Sequence, residues 1–358
     1  MSKTTVAVLF GGCSSEHEVS RVSAASVIQN IPKDKYDVVM VGITKEGRWL
    51  LFSGDAAELP DGSWEKHPKN RIALISPDRT HRGILAQTES GFEVIPVDVV
   101  FPVLHGKNGE DGTIQGLLQL AGIPFVGCSA LACAVCMDKA ITNSLLETAG
   151  IAQAHYLWFF MDNYRTGAEK IKIKIEARLG YPVFVKPANS GSSVGVSKVT
   201  RAEDLDAAIQ KAAREDTKIV VEEAIDGQEV ECAVLGLSRP DASIVGEIAS
   251  GADFYDYEDK YNKSSEAKLY IPARIPEQTA EEIRKTAMRA YRMLGCSGLA
   301  RVDFFVRNSD GAVLLNELNT LPGFTSISMY PKLWEASGLS YPELLDRLIQ
   351  LAFDKIYF

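Results

Sequence analysis

The segment from Leu315 to Ser326 constrains the fold most, because an apolar strand there ends in a carboxylate and an amide before a Pro-Gly turn. Residues two apart on a strand face the same side, so Glu317 and Asn319 would present oxygen ligands side by side. Asp303, on the earlier apolar run Leu299–Val306, would add a second carboxylate. Magnesium bound with a nucleotide takes one or two carboxylates, phosphate oxygens and water. The pattern therefore predicts a magnesium and nucleotide site, although such a segment alone can also be a capped loop.

Length and charge exclude several classes of protein. A chain of 358 residues with 46% hydrophobic content is long enough for two or three domains. The net charge of -9 is spread without a basic stripe, which argues against nucleic acid as a partner. No run approaches the roughly 20 apolar residues of a membrane span, so we expect no membrane partner and a cytoplasmic protein. Six cysteines form no disulfide framework, and the single CxxC, Cys133 to Cys136, indicates buried thiols with a zinc site as the alternative.

Strand-like and helical runs alternate in the first third of the chain. This alternation is typical of a parallel α/β sheet. The strand-like runs are Thr5–Phe10, Val38–Ile43 and Val97–Leu104, and the helical runs lie near Ser20–Ile31 and Thr113–Ala121. We assign residues 1–122 to this N-terminal α/β domain.

Two further units follow. The second, residues 123–217, carries a helix from Asp138 to Ala149 and then two strands joined by a Gly/Ser loop, which indicates a hairpin. The third, residues 218–358, has further strands, a long amphipathic helix near Glu277–Leu294 and a closing helix. Its Lys/Glu/Asp-rich span 253–268 has few apolar residues, which predicts a mobile loop.

Two glycine-containing loops are candidate anion sites. Gly11-Gly12 follows the first strand and opens a helix, but it lacks G-x-G-x-x-G and no acidic residue ends the second strand, which argues against a dinucleotide site. Glu16 in this loop is better suited to bind an amine. The segment Gly191–Gly195 lacks P-loop spacing but can fold over phosphates, with Lys186 meeting their charge.

His105 and Arg301 are further candidates. His105 ends the strand Val97–Leu104, where parallel sheets place ligands, and would hold a carboxylate or an anionic intermediate. Arg301 lies two residues before Asp303, on the same face, and would neutralise oxyanion charge. The structural alternatives are a hydrogen-bonded histidine and an Arg301–Asp303 salt bridge.

Taken in order, these motifs resemble the ATP-grasp D-alanine–D-alanine ligases and their relatives, the vancomycin-resistance D-alanine–D-lactate and D-alanine–D-serine ligases. The similarity covers nearly the whole chain, in the blocks FGGCSSEHEVS, HGKNGEDGTIQG, MDK, VKPANSGSSVG, FYDYEDKY, RVD and NELNTLPGFTS. It implies a three-domain ATP-grasp fold, in which the N-terminal α/β domain is followed by central and C-terminal α+β subdomains that enclose ATP.

The resemblance implies an ATP site made of two groups of residues. Those facing the phosphates are Lys139, Lys186, Ser193 and Lys260, and those facing adenine and ribose are Glu222, Glu223, Ile225 and Glu229. Relatives often carry Lys or Gln where this chain has Glu223, although its backbone can still serve the adenine edge. Mg²⁺, with Mn²⁺ as a substitute, would be bound by Asp303, Glu317 and Asn319.

The resemblance also implies the roles of the substrate residues. Glu16, Ser192 and Tyr261 would form a hydrogen-bonded group over the first D-alanine, and closure of the 253–268 loop would complete it. Arg301 with the backbone N–H of Gly323 would stabilise the oxyanion. Ser328 would bind the carboxylate of the second D-alanine, and His105 and Met329 would be further substrate-binding residues. We also expect a homodimer.

The second substrate and the presence of turnover distinguish the alternatives. Resistance-type relatives tend to have Arg after the serine, whereas Met329 follows Ser328 here, and the histidine that lactate ligases place near Tyr261 is absent. Both features favour D-alanine over D-serine or D-lactate. An ATP-binding regulatory protein without turnover is the alternative from another class, but Lys186 and Arg301 are present.

Overall fold

The computed structural model describes residues 3–249 and 268–355, and the strands in this part of the chain form three sheets. Lys260 and Tyr261, with nearly all of the predicted 253–268 loop, lie outside the described residues. Among the helices described, none is long and apolar enough to cross a membrane.

The N-terminal sheet has seven strands in the order β6-β5-β4-β3-β2-β1-β7. They are β1 (Thr4–Gly11), β2 (Tyr36–Ile43), β3 (Trp49–Phe52), β4 (Arg71–Ile75), β5 (Gly83–Thr88), β6 (Gly91–Pro96) and β7 (Val99–Val103). The buried strand β1 pairs in parallel with β2 and β7, as the sequence rhythm predicts. The sheet departs from a purely parallel one, because β2 to β6 form an antiparallel ladder. Helices α1 (His17–Asn30) and α2 (Thr113–Ala121) complete this part.

The middle sheet is antiparallel, in the order β10-β9-β11-β8. Its strands are β8 (Tyr156–Phe160), β9 (Val183–Pro187), β10 (Ser197–Val199) and β11 (Lys218–Glu223). The predicted hairpin around the Gly/Ser loop is formed by β9 and β10. The helices of this region are α3 (Ala130–Met137), α4 (Lys139–Thr148), α5 (Met161–Arg178) and α6 (Leu205–Ala212).

The C-terminal sheet is also antiparallel, in the order β14-β13-β12-β15-β16. Its strands are β12 (Gly227–Gly236), β13 (Asp241–Ala249), β14 (Lys268–Tyr270), β15 (Gly298–Arg307) and β16 (Val313–Asn319). Helix α7 (Glu277–Met293) packs on one face, whereas α8 (Met329–Ala336) and α9 (Tyr341–Asp354) pack on the other. Even-numbered residues of β15 therefore face α7, and odd-numbered ones face the opposite side.

The N-terminal and C-terminal sheets share one apolar core. Residues of β1, such as Val8, belong to the same cluster as Leu333 of α8 and Leu348 of α9. Helix α3, although it lies in the predicted central unit, packs with Cys133 and Cys136 against the C-terminal sheet. The domain boundaries of the sequence analysis stay predictions.

Candidate active site

The register of the C-terminal sheet brings the predicted metal ligands together. In the pairing of β15 with β16, Asp303 lies opposite Glu317 and Arg301 lies opposite Asn319. Directly opposed residues share a face of the sheet with Cβ atoms about 5 Å apart. Two carboxylates, one amide and one guanidinium thus meet on one face, as the alternation in the sequence predicts.

Arg301 is tied to two carboxylates. Its Nε and Nη2 donate to Oδ1 and Oδ2 of Asp303 at 2.7 and 2.6 Å, and its Nε is also 3.1 Å from Oε1 of Glu231. Burial acts to lower the pKa of Arg301, but the charges of Asp303 and Glu231 outweigh it and raise that pKa well above its ordinary value. The expected Arg301–Asp303 salt bridge is present, and its fixed cation stands beside the predicted metal ligands.

The donor set fits magnesium. Asp303, Glu317 and the amide of Asn319 offer the oxygen atoms that Mg²⁺ prefers. Among residues 3–249 and 268–355, no three His, Cys, Asp or Glu side chains are arranged to hold a metal by themselves. A magnesium ion held here would complete its coordination with phosphate oxygens and water, as nucleotide-bound magnesium commonly does.

A buried ion pair lies beside this row. Nζ of Lys186 donates to Oε2 of Glu222 at 2.5 Å, and Nδ2 of Asn143 donates to Oε1 of the same carboxylate at 3.3 Å. Burial acts to lower the pKa of Lys186, but Glu222, with further contributions from Glu317 and Glu229, raises it. The Lys186 ammonium is therefore charged at neutral pH and close to the predicted metal ligands, which suits a contact with phosphate.

Lys139 is held at the start of a helix. Its Nζ donates to the carbonyl oxygen of Ser190 at 2.7 Å, which places it under the Gly/Ser hairpin. Asp138 caps the helix by accepting from the N–H groups of Ala140 and Ile141, and it forms a partly buried ion pair with Lys218. Together, the cap and the Asp138–Lys218 ion pair fix the residue at which helix α4 begins, and thereby the position of Lys139.

The remaining predicted nucleotide residues follow β11. Glu223 ends that strand, and its side chain accepts from the N–H of His155 at 2.8 Å. Ile225 lies in the turn between β11 and β12, and Glu229 lies on β12 close enough to Lys186 to affect its pKa. All three side chains are partly exposed. Consecutive strand residues point to opposite faces, so the Glu223 side chain points away from the face that carries Glu222, whereas Glu229 acts on Lys186, the partner of Glu222.

The Gly/Ser hairpin bends onto the N-terminal domain. Ser192 and Ser193 adopt φ values of 49 and 59°, in the left-handed region that costs a non-glycine residue free energy. The hydroxyl of Ser192 donates to Oε1 of Glu16, so the loop after β9 contacts the loop after β1. The predicted Glu16–Ser192 pair is formed, whereas Tyr261 lies outside the described residues.

The Gly11-Gly12 loop uses its own N–H groups internally. The N–H of Gly11 donates to Oγ of Ser20 and that of Gly12 donates to the carbonyl oxygen of Ile43, both at 2.8 Å. Neither N–H is available to the phosphates of a dinucleotide. Glu16 is only 5% exposed, and its carboxylate is the charged group that this loop offers to a ligand.

His105 joins two domains. Its Nδ1 lies 3.1 Å from the carbonyl oxygen of Leu321 and 3.6 Å from Oε1 of Glu110, and its Nε2 lies 3.1 Å from Oγ of Ser23. Burial acts to lower the pKa of His105, but the hydrogen bond and charge of Glu110 and the charge of Glu16 raise it. The ring thus links α1 to the loop after β16.

That loop carries the predicted residues for the second substrate. Oγ of Ser328 accepts from the N–H of Thr325 at 3.0 Å and lies 2.8 Å from its hydroxyl. Gly323 is packed against the same hydroxyl, because an added Cβ would lie 2.7 Å from Ser328 Oγ. Met329 is buried in the core, and its Cε occupies the space that a side chain at position 246 would need. Ser328 therefore lies by Gly323, while the Met329 side chain points into the core.

The structure adds three residues that the sequence analysis did not select. Glu231 pairs with Arg301, Asn143 binds Glu222, and Glu110 faces His105. The sequence contained a pattern that could have identified Glu231, because it follows Glu229 by two positions and must share its strand face. Asn143 likewise lies four positions after Lys139 on a helix, where side chains are neighbours.

Comparison with known proteins gives one consistent result. The family model described as D-ala D-ala ligase N-terminus matches residues 5–128, and the model described as D-ala D-ala ligase C-terminus matches residues 145–350. The chain is 53% identical to a D-alanine–D-alanine ligase of Acetivibrio thermocellus, over 99% of this chain and 96% of that protein. It is 52% identical to one of Ruminiclostridium cellulolyticum, with the same coverage.

Solved structures agree with these matches. The VanG D-Ala:D-Ser ligase from Enterococcus faecalis superposes with a TM-score of 0.89 at 43% identity, covering 98% of this chain and 100% of that one. The D-alanine–D-alanine ligase from Coxiella burnetii superposes with a TM-score of 0.85 at 36% identity, covering 98% and 96%.

Proposed function

This chain belongs to the D-alanine–D-alanine ligase family and has its three-domain ATP-grasp fold; we propose that it joins two molecules of D-alanine at the expense of ATP. The observation that carries the proposal is the antiparallel register that sets Asp303 opposite Glu317 and Arg301 opposite Asn319. The charge of Glu317 in this row also raises the pKa of Lys186. Such a cluster of oxygen ligands and fixed cations suits phosphoryl transfer.

The first step activates a carboxylate. A carboxylate oxygen of the first D-alanine attacks the γ-phosphorus of ATP, the bond to the ADP oxygen breaks, and D-alanyl phosphate forms. Lys139, Lys186 and Lys260 are assigned to the phosphates, whose charge they disperse. Glu16 would bind the ammonium group of this D-alanine, with Ser192 and Tyr261 completing the hydrogen-bonded group.

The second step forms the amide. The amine of the second D-alanine attacks the acyl carbon and loses a proton, the C–O bond to phosphate breaks, and phosphate leaves. Arg301 and the backbone N–H of Gly323 would stabilise the tetrahedral oxyanion. Ser328 is assigned to the carboxylate of the second D-alanine, and His105 and Met329 are assigned to substrate binding.

Asp303, Glu317 and Asn319 would hold Mg²⁺, or Mn²⁺ in its place. When bound, the ion neutralises developing charge on the phosphate oxygens. Water must be kept away, because it would hydrolyse the acyl phosphate. The Ser192–Ser193 turn and the 253–268 loop are assigned to this covering role.

Specificity for the second substrate is the point on which relatives differ. The VanG structure, a D-Ala:D-Ser ligase, is a reason to keep D-serine as the second candidate. The higher identities to D-alanine–D-alanine ligases and the Met that follows Ser328 favour D-alanine. A pocket without a partner for the serine hydroxyl would disfavour D-serine by roughly 1 to 3 kcal/mol, about a fivefold to hundredfold preference.

One assay tests both the reaction and its specificity. The purified protein is incubated with ATP, Mg²⁺ and D-alanine, alone and with equal D-serine or D-lactate, and the products are identified by mass spectrometry. D-Alanyl-D-alanine and phosphate in equal amounts are expected. A mixed dipeptide as the main product would favour the D-serine alternative. Phosphate release that does not depend on D-alanine would contradict the ligase assignment, and an absence of both products would favour a regulatory ATP-binding protein.

In the cell, this dipeptide would be supplied for peptidoglycan synthesis, and thereby for cell wall biogenesis and cell shape. We place the reaction in the cytoplasm, where ATP is available. A homodimer stays a prediction.

A further inference from the structure

A third carboxylate completes the row that holds the predicted metal ligands. In the pairing of β12 with β15, Glu231 lies directly opposite Asp303, which in turn lies opposite Glu317. Three acidic side chains thus cross the sheet on one face. Like charges opposed in this way repel each other, so the row needs a cation.

Arg301 is the fixed cation of this row. It is flanked by Glu231 at 3.1 Å and by Asp303 at 2.6 Å, and the charge of Glu317 also acts on it. The Glu231 side chain is only 6% exposed. A carboxylate buried this deeply is costly unless it is paired, so its position opposite Asp303 requires the guanidinium between them.

Arg301 and the proposed Mg²⁺ compete for the carboxylate of Asp303. Both of its oxygens accept hydrogen bonds from Arg301, yet the proposed function assigns the same carboxylate to Mg²⁺. A cation that binds Asp303 must weaken at least one of these bonds. Arg301 then needs another anion to keep its guanidinium in place.

We propose that Glu231 is a positioning residue that holds Arg301 when Asp303 turns to the metal, and thereby lowers the Mg²⁺ concentration that the site requires. The inference rests on the proposed function for the identity of the metal site. With Glu231, the row carries three negative charges against the one positive charge of Arg301, which leaves two for a divalent cation to neutralise. Without it, Arg301 depends on Asp303 alone and competes more strongly with the cation.

In this proposal Glu231 acts on the cation without being one of its ligands. Within the described ranges, no group of three acidic, His or Cys side chains is placed to hold a metal. Its Oε1 lies 3.1 Å from Nε of Arg301. Its effect on the cation must therefore act through Arg301 and through charge.

The test compares the full-length wild type with Glu231→Gln and Glu231→Asp. Binding of Mn²⁺ in the presence of ADP is followed by the electron paramagnetic resonance signal of free Mn²⁺, and the KM for Mg²⁺ is measured apart from kcat. Glu231→Gln is expected to weaken Mn²⁺ binding about tenfold, since a buried charge near a divalent cation is lost. The KM for Mg²⁺ should rise similarly, with kcat largely recovered at saturating Mg²⁺. Glu231→Asp keeps the charge but shortens its reach, so about a threefold loss is expected.

Glu247→Gln is the matched control. Glu247 is a buried carboxylate on β13 of the same sheet, it pairs with Arg274 at 2.6 Å, and it lies opposite Val230 on the other face. Losing this pair should lower thermal stability and leave Mn²⁺ affinity unchanged. If Glu247→Gln weakens Mn²⁺ binding as much as Glu231→Gln does, the effect of Glu231→Gln comes from reduced stability of the fold alone, and the inference fails.

Unchanged Mn²⁺ affinity in Glu231→Gln would also overturn the inference. If that variant does not fold, Glu231→Asp decides, because wild-type Mn²⁺ affinity in it would contradict the positioning role. Mn²⁺ binding requires no D-alanine turnover. A protein that makes no dipeptide but shows the Glu231 effect would refute the proposed function only, whereas an active ligase without the effect would refute this inference only.

Discussion

Gly323→Ala should impair binding of the second substrate through a contact that can be measured in the structure. An alanine Cβ at this position would lie 2.7 Å from Oγ of Ser328, closer than real Cβ contacts. The hydroxyl cannot move freely, because it accepts from the N–H of Thr325 at 3.0 Å and lies 2.8 Å from the Thr325 hydroxyl. Displacing it would break one or both hydrogen bonds, each contributing about 0.5 to 1.5 kcal/mol.

The expected cost is therefore about 0.5 to 3 kcal/mol in total, or about a twofold to hundredfold weaker interaction. Ser328 is assigned to the carboxylate of the second D-alanine, so this cost should fall on the KM for D-alanine at the second site. Initial rates measured against D-alanine at saturating ATP, by phosphate release and dipeptide formation together, give this constant. The KM for ATP should stay within about twofold of wild type.

A double-mutant cycle isolates the contact. In Ser328→Ala the hydroxyl is gone, and a Cβ at position 323 would lie 3.6 Å from the Cβ of residue 328, an ordinary van der Waals distance. Gly323→Ala should then add little to the effect of Ser328→Ala. Gly116→Ala is the control, because no atom lies within 4 Å of its added Cβ and alanine stabilises a helix by roughly 0.5 to 1 kcal/mol. If the effects of Gly323→Ala and Ser328→Ala are simply additive, the steric argument is refuted.

Three further predictions follow from the assigned roles. Asp303→Asn and Glu317→Gln should each abolish turnover and leave the far-ultraviolet circular dichroism unchanged, because each removes a charged metal ligand; near-normal rates at saturating Mg²⁺ would contradict the metal assignment. Lys260→Ala and Tyr261→Phe should slow dipeptide formation and raise the ratio of phosphate released to dipeptide formed, because the covering loop no longer excludes water; an unchanged ratio would argue that the loop has no covering role. Met329→Arg, which the sequence alone predicts to favour D-serine, places a cation in the core beside Gly246 and should lower the midpoint of thermal unfolding by roughly 5 °C or more; a midpoint equal to that of wild type would show that the arginine reaches solvent.

The sequence predicted most elements that carry the site, because their patterns are local. Helix α2 occupies the predicted residues Thr113–Ala121, and the hairpin around the Gly/Ser loop is present. The ladder from β3 to β6 was not predicted. Its strands are short, and β6 (Gly91–Pro96) is almost wholly exposed, so the alternation of apolar and polar residues that marks a half-buried strand is missing.

The residues of the site also differ in whether a local pattern in the sequence predicts their position. Glu317 and Asn319 lie two positions apart on one strand, so their common face follows from the period of a strand alone. Family resemblance extended this reasoning to Lys139, Lys186 and Glu222, which the structure places close to the row or under the hairpin. Their roles stay predictions.

By itself, then, the sequence determined which residue types stand side by side along each strand and loop, because neighbours in the chain are fixed by covalent geometry. Only the tertiary structure decided which strands meet and in what register. It set Glu231 opposite Asp303, brought the Ser192 hydroxyl to Glu16 across 176 positions, and turned the Met329 side chain into the core. Register depends on burial of the whole sheet, since a shift by one residue would turn every side chain to the other face.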